Sequence, residues 1–231
     1  MQQFSFDNKE CVIINITLLL SLILLNGLLA QSTEAIKPGW YRIEITGIGT
    51  LDVPNSLEIQ DGRYQEAFQS SLKETMEKEW KIKYNEPNIT IQLSGTNNLE
   101  TSTYVRFVLQ TQFAQKGTFK KLHQPPFSSA EEHLNFEQGI RAKFEGMIEG
   151  SPIKITKWEP LEVVEIKNMK AKKIEYERRI GDGQPSIVQI YQIQNSDRQY
   201  TITITIPRSE LKQWQPVLME VLSSFQPIIA P

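Results

Sequence analysis

Residues 163–207 read VVEIKNMKAKKIEYERRIGDGQPSIVQIYQIQNSDRQYTITITIP. The end of this stretch is the plainest. Tyr200, Ile202, Ile204 and Ile206 alternate with Thr201, Thr203 and Thr205, which is the period of a half-buried strand. Ile187 to Ile193 precedes it with apolar residues on both faces. Ala171 to Ile180 is a third strand, with Ile174, Tyr176 and Arg178 on one face. Leu161, Val163 and Glu165 alternate with Glu162, Val164 and Ile166 in a fourth. Gly181-Asp182-Gly183 and Asn195-Ser196-Asp197 turn the chain between strands. Connections this short make successive strands antiparallel neighbours. Pro207 closes the last strand. A helix from about Ser209 then presents Leu211, Trp214, Leu218, Val221, Leu222 and Phe225 inward. Pro216 falls inside it, which predicts a kink or a restart.

Toward the N-terminus the pattern is mixed. Tyr41, Ile43 and Ile45 alternate with polar neighbours as a strand, and Gly47 and Gly49 allow a turn or bulge. Leu51 to Val53 is a short strand stopped by Pro54, and Leu57 to Ile59 is another candidate. Tyr64, Phe68, Leu72, Met76 and Trp80 recur every four residues as the stripe of an amphipathic helix. Strands follow at Ile89 to Leu93 and Tyr104 to Phe113, the second with Val105, Phe107, Leu109 and Phe113 on one face. Lys116 to Phe127 is a loop containing Pro125-Pro126. Ser128 and Glu131 have capping-box spacing. The helix they open carries Phe136, Ile140, Phe144 and Met147 on one side and ends at Gly150 and Pro152. The class is α+β: one twisted antiparallel sheet with helices on its faces, in a single domain. Roughly four strands before residue 115 and four after 160 suit one sheet of ordinary size.

The chain has 231 residues, 25 Lys plus Arg, 27 Asp plus Glu and a net charge of −2. Nucleic-acid binders usually carry a basic excess, so this balance argues against one. One Cys and two His exclude a disulfide framework and a Cys-based zinc site. Val12 to Leu29 is 18 residues without a charge. As a helix it would rise about 27 Å, just short of a bilayer core. Ala30 ends the run and Gln31, Ser32 and Thr33 follow. Residues 1–30 are therefore read as a cleaved secretory signal or an N-terminal anchor, and 31–231 as the folded domain. The expected location is extracytoplasmic, periplasmic or secreted, with membrane attachment only if residues 12–29 are retained. Without those first residues the net charge is −1, so no strong field steers partners. A monomer is expected.

The search for chemistry finds little. No GxxxxGK[ST] or GxSxG is present, and Gly47-Ile48-Gly49 lacks the third glycine of a dinucleotide loop. No catalytic residue, cofactor or metal site is assigned. His123 sits in the loop beside the proline pair. His133 and Glu137 lie four apart on a helix face, a spacing that suits two metal ligands or a solvated surface pair; the surface pair is the expectation. Lys170, Lys172 and Arg178 share strand parity and form a candidate basic surface patch, set against an ordinary wet sheet face of mixed charge. Asn88-Ile89-Thr90 matters as a glycosylation acceptor only in a eukaryotic secretory route.

The C-terminal half, with ELKQWQPVLMEVLSSFQPI at residues 210–228, resembles the PsbP-like family. That family includes the extrinsic photosystem II subunit and DcrB-type bacterial envelope proteins. Asn168, Ala171, Tyr191, Tyr200, Trp214 and the Ser224-Phe225 pair carry the resemblance, and GIGTLDVPNSLEI at residues 47–59 looks like the family's opening strand pair. It implies an α/β/α sandwich and a non-catalytic accessory or binding role in the cell envelope, with no catalytic residue to carry over. The expected function is an exported binding module whose partner is an unnamed protein or small ligand. The alternative is a secreted hydrolase with a dispersed His-dependent site.

Overall fold

Arg198–Pro207 is the strand on which the rest is built. Tyr200, Ile202 and Ile204 are fully buried and Ile206 nearly so. Each contributes about 1.5–3 kcal/mol of apolar burial. The computed structural model describes residues 35–60, 70, 73–79, 89–95, 105–119, 122, 127 and 129–228, and Pro38–Pro231 forms one compact unit. The elements in order are β1 (Trp40–Ile45), β2 (Gly49–Pro54), β3 (Leu57–Ile59), β4 (Ile89–Gly95), β5 (Val105–Phe113), α1 (Ala130–Ile148), β6 (Ile153–Trp158), β7 (Glu162–Ile166), β8 (Met169–Ile180), β9 (Ser186–Asn195), β10 (Arg198–Pro207), α2 (Leu211–Ser224) and β11 (Gln226–Pro227). Of the predicted stripe from Tyr64 to Trp80, the described residues include helical Ser70, Lys73 and Glu74 and a π-helical segment at Thr75–Glu79; Tyr64, Phe68, Leu72 and Trp80 lie outside them. The N-terminal apolar run, Asn88, His123 and the Pro125-Pro126 pair also lie outside them.

The main sheet is antiparallel in the order β3-β4-β5-β10-β9-β8-β6, with β7 paired to β8. Helices lie on its faces, and the α+β class is as expected. One core lies under α2: Trp214, Leu218, Val221 and Leu222 meet the β10 row, Phe107, Leu109 and Leu93. A smaller core lies under α1, built from Leu161, Ile174, Tyr176, Val188 and Ile190.

Several details differ from the sequence reading. β1 and β2 do not join the main sheet; with β11 they form a three-stranded sheet of their own. β6 and β11 were not anticipated. Helix α1 is capped by Ser129 rather than Ser128, because the extended backbone of Ser129 (φ −150°, ψ 162°) lets its side chain accept from the Glu132 N–H. Helix α2 runs through Pro216 without a break. Losing one helical bond there costs about 3 kcal/mol. Burial of four side chains from α2, at about 1.5–3 kcal/mol each, outweighs it. Phe113, placed on one face with Val105, Phe107 and Leu109, is exposed, as are Phe136 and Met147, placed on one side of α1 with Ile140 and Phe144. Phe113 ends its strand with the Arg198 guanidinium 5.4 Å from its ring. The sheet side of α1 runs instead through His133, Glu137, Ile140, Phe144 and Ile148, which are half-buried.

The small sheet joins the two ends of this unit. The Ile228 N–H donates to the Ile48 carbonyl at 2.8 Å. The Asp52 N–H donates to Ser224 Oγ at 2.9 Å, and that hydroxyl donates to the Val221 carbonyl at 2.7 Å. Arg42 grips the Asp52 carboxylate through two nitrogens, at 2.6 and 2.8 Å. Arg198 ties the assembly to the main sheet by donating to the Gly47 carbonyl at 3.0 Å.

Gly49 makes this closure possible. A Cβ there would fall on the Gln226 carbonyl oxygen and lie 2.9 Å from Pro227 Cα. Backbone cannot yield as a flexible side chain can. Gly49→Ala is expected to lower stability by about 1–3 kcal/mol and to speed amide exchange at Ile228. Gly139→Ala, in α1 where a Cβ meets nothing within 4 Å, is expected to raise stability by about 0.5–1 kcal/mol. Urea denaturation of both variants checks the opposite signs.

Candidate functional site

Strand alternation splits β8 and β9 between the two cores. Ala171, Tyr191 and Ile193 face α2, whereas Ile174, Tyr176, Val188 and Ile190 face α1. Helix α1 is 19 residues long and has no fully buried residue. Its aromatic contacts to the sheet are those of Phe144 with Trp158 and Tyr176, at 6.0 and 5.6 Å between ring centres. On the α1 side of the sheet Ile174, Tyr176, Val188 and Ile190 are buried, while Lys170, Lys172, Gln192, Gln194, Gln199 and Thr201 stay partly exposed.

His133 and Glu137 hold the helix in place. His133 Nε2 lies 3.0 Å from the Leu161 carbonyl oxygen, and the Leu161 N–H donates to Glu137 Oε2 at 3.1 Å. The two side chains thus satisfy both polar groups of one backbone residue. Phe127 stacks on the imidazole at 4.7 Å. The expected solvated surface pair is instead a half-buried clamp on Leu161.

Lys170 and Lys172 lie on the α1 side of β8, with Ile174 and Tyr176. Arg178 has the same parity but stands about 20 Å from Lys172 along the strand, at about 3.3 Å per residue. Ile174 and Tyr176 occupy the interval, so Arg178 and the lysines are not brought together. Arg178 keeps a buried Nε with no hydrogen-bond partner. Lys172 places its Nζ 4.5 Å from the centre of the Phe136 ring, a favourable cation–π arrangement. Burial pulls its pKa below the ordinary value, and no carboxylate of the described residues acts on it.

The strand register continues from these lysines into neutral polar residues. Lys172 is opposite Gln192, which is opposite Thr201. One step along the face stand Lys170 on β8 and, on β9, Gln194, which is opposite Gln199. Gln194 Nε2 donates to Gln199 Oε1 at 2.9 Å. All six are partly exposed. Glu165, opposite Lys170, is the acid on this part of the face. Nothing in the linear sequence joins Lys172 to Thr201, because the row exists only once register is set.

The α2 side of β8 and β9 carries a second polar set that sequence reasoning missed. Lys173 bridges Glu162 at 3.6 Å and Glu175 at 2.9 Å. Gln189 donates to Glu175 at 2.8 Å, and the Tyr191 hydroxyl donates toward Gln189 Oε1 at 3.3 Å. Burial, with the charges of Glu175 and Glu162, pushes the Tyr191 hydroxyl well above its usual pKa. Burial works against the charged Lys173 amine, yet the hydrogen bond and charge of Glu175 raise its pKa. These groups answer one another within the fold. Among the described residues no group of three metal-ligating side chains comes together, and no helix is long and apolar enough to cross a membrane.

No protein-family model matches the chain, and no curated protein matches it. Among solved structures it is similar to cyanobacterial PsbP (CyanoP) from Synechocystis sp. PCC 6803, at 12% identity over 86% of this chain and 98% of that one, with a TM-score of 0.47. It is similar to a Bacteroides thetaiotaomicron VPI-5482 protein at 7% identity, covering 84% of this chain and 47% of that one, with a TM-score of 0.42. A protein of unknown function from Pseudomonas aeruginosa, described as a putative regulator, is similar at 11% identity over 83% and 96% of the two chains, with a TM-score of 0.37.

The state of Lys172 gives a pH test. Its folded-state pKa lies below the ordinary 10.5, so between the two values the unfolded chain holds more protons and stability rises with pH. Lys172→Met removes the desolvated ammonium. The variant is expected to melt above the wild type at pH 7, with the difference shrinking as the pH approaches 10.5. Thermal melts across that range check this, and a constant difference contradicts it.

Proposed function

We propose that this chain is an exported, non-enzymatic binding or accessory module of the cell envelope, acting by contact with a protein or a small ligand. The observation that carries the reading is Lys172. It is a partly exposed ammonium on which no carboxylate of the described residues acts, set in a row with Gln192 and Thr201. A desolvated cation without a counter-charge is costly by itself and favours a partner that brings one. The side chains around it are amides and a hydroxyl, which hold a ligand, whereas nucleophilic catalysis needs a nucleophile beside a base. Among the described residues His133 is the only histidine, and its Nε2 is engaged with Leu161. Contact chemistry is therefore favoured over His-dependent hydrolysis. The uncharged run from Val12 to Leu29 supports export.

Three readouts test this. N-terminal sequencing of protein from the extracytoplasmic fraction is expected to begin at or near Gln31. The purified protein is expected to leave generic ester, phosphate and glycoside substrates unchanged. A photo-crosslinker at position 192 is expected to give a discrete adduct in intact cells, and one at Lys212 on α2 is not. Substrate turnover that His133→Ala abolishes overturns the reading in favour of a hydrolase.

A further inference from the structure

The α1 side of β8, β9 and β10 has an uneven composition. Under the helix it is apolar, with Ile174, Tyr176, Val188 and Ile190. Beside these lies a row of Lys172, Gln192 and Thr201, continued into β7 by Val163; one step along the face stand Lys170, opposite Glu165 of β7, and the pair Gln194 and Gln199. Side chains within a row stand on strands about 4.8 Å apart, and the rows are separated by two residues, about 6.6 Å. The result is an array of neutral donors and acceptors beside two lysines, Lys172 opposite Val163 and Lys170 opposite Glu165 of β7. Phe136, 36% exposed, holds the Lys172 ammonium over its ring.

We propose that this face binds an acidic oligosaccharide, a short chain of sugars bearing carboxylates. Side-chain amides and hydroxyls each donate and accept, which matches the hydroxyls of a sugar ring. Lys172 supplies the charge for one carboxylate and Lys170 can meet a second, though it shares its position with Glu165. The charge complementarity rests on Lys172, which among the described residues faces Val163 and Gln192 across the strands and the Phe136 ring rather than a carboxylate. An acidic peptide is a poorer match, since four of the six side chains are neutral and would leave most of its carboxylates unanswered. A neutral glycan is a poorer match because it would leave Lys172 without a counter-charge. The partly exposed ring of Phe136 offers an apolar surface to the C–H face of the sugar nearest the lysines.

The proposal rests on the reading of the chain as a binding module and names the chemistry of its ligand. Its test is calorimetric titration of the purified protein with tetragalacturonate, its methyl ester, maltotetraose and hexaglutamate, each at low and high salt. Tetragalacturonate is expected to bind, more weakly at high salt. The methyl ester and maltotetraose are expected to bind at least about tenfold more weakly, the scale of one charge-assisted contact, and hexaglutamate not to bind. Lys172→Gln is expected to weaken tetragalacturonate about tenfold, and Gln192→Glu, which sets a carboxylate in the row, by more. Both positions are partly exposed, so the variants are expected to fold, and an unchanged circular dichroism spectrum checks this. No binding of tetragalacturonate at roughly 10 mM, equal binding of hexaglutamate, or full affinity in Lys172→Gln overturns the proposal. Chromatography of the titrated sugar separates this from the wider reading. Intact tetragalacturonate supports both, whereas bound sugar that is cut overturns the non-enzymatic reading and leaves the ligand class standing.

Discussion

The structure depends on burying one row of side chains: Tyr200, Ile202, Ile204 and Ile206 of β10 beneath α2. The row sits on the strand between β5 and β9. It gives α2 an apolar floor wide enough that Pro216 does not break the helix. It also decides where the small sheet goes. The chain leaves α2 at Ser224, and Phe225 packs edge-on against Tyr200 at 5.2 Å. That contact delivers β11 to Gly49, where only a residue without a side chain leaves room for the Gln226 carbonyl. Trp214 imposes the same demand on Gly95, since a Cβ there would lie 2.7 Å from its ring.

Concentrating the core on one side of the sheet leaves the other side lightly covered. Helix α1 has weak anchors by comparison: a few aromatic contacts and the grip of His133 and Glu137 on Leu161. Its interior glycines, Gly139 and Gly146, meet no neighbour, so nothing is packed closely against the helix at those points. Beside the smaller core of Ile174, Tyr176, Val188 and Ile190, the α1 side of β8, β9 and β10 carries amides, hydroxyls and lysines. A sheet face that is only partly dry is ordinary in antiparallel folds. The uncompensated Lys172 at the margin of the dry region is what makes this wet face a candidate for binding.

Much of the fold was legible because alternation is a local signal. Tyr200 to Ile206 could be read as a strand from seven residues, and the short turns around it fixed the antiparallel order. β6 was harder. Lys154, Thr156 and Lys157 dilute its apolar residues, and its register shifts between Ile155 and Lys157, which breaks the period. β11 is two residues long and exists only through its distant partner β2. The separation of β1 and β2 from the main sheet is likewise a matter of tertiary closure. Ser128 and Ser129 both precede a glutamate by three residues, so spacing alone could not choose the cap. The candidate site was partly visible. Parity put Lys170 and Lys172 on one face, but parity also admitted Arg178, and only the length of β8 separates it from them. The partners of Lys172 lie on two other strands and belong to no linear motif.

The account assigns stability to the β10–α2 side and leaves the α1 side free for contact. Native-state hydrogen exchange tests this most directly, because it reads the opening free energy of each element separately. The account predicts that amides of β10 and α2 exchange only through global unfolding, while those of α1 exchange through a smaller opening that leaves β10 protected. Equal protection of α1 and β10, both lost together with denaturant, would contradict it.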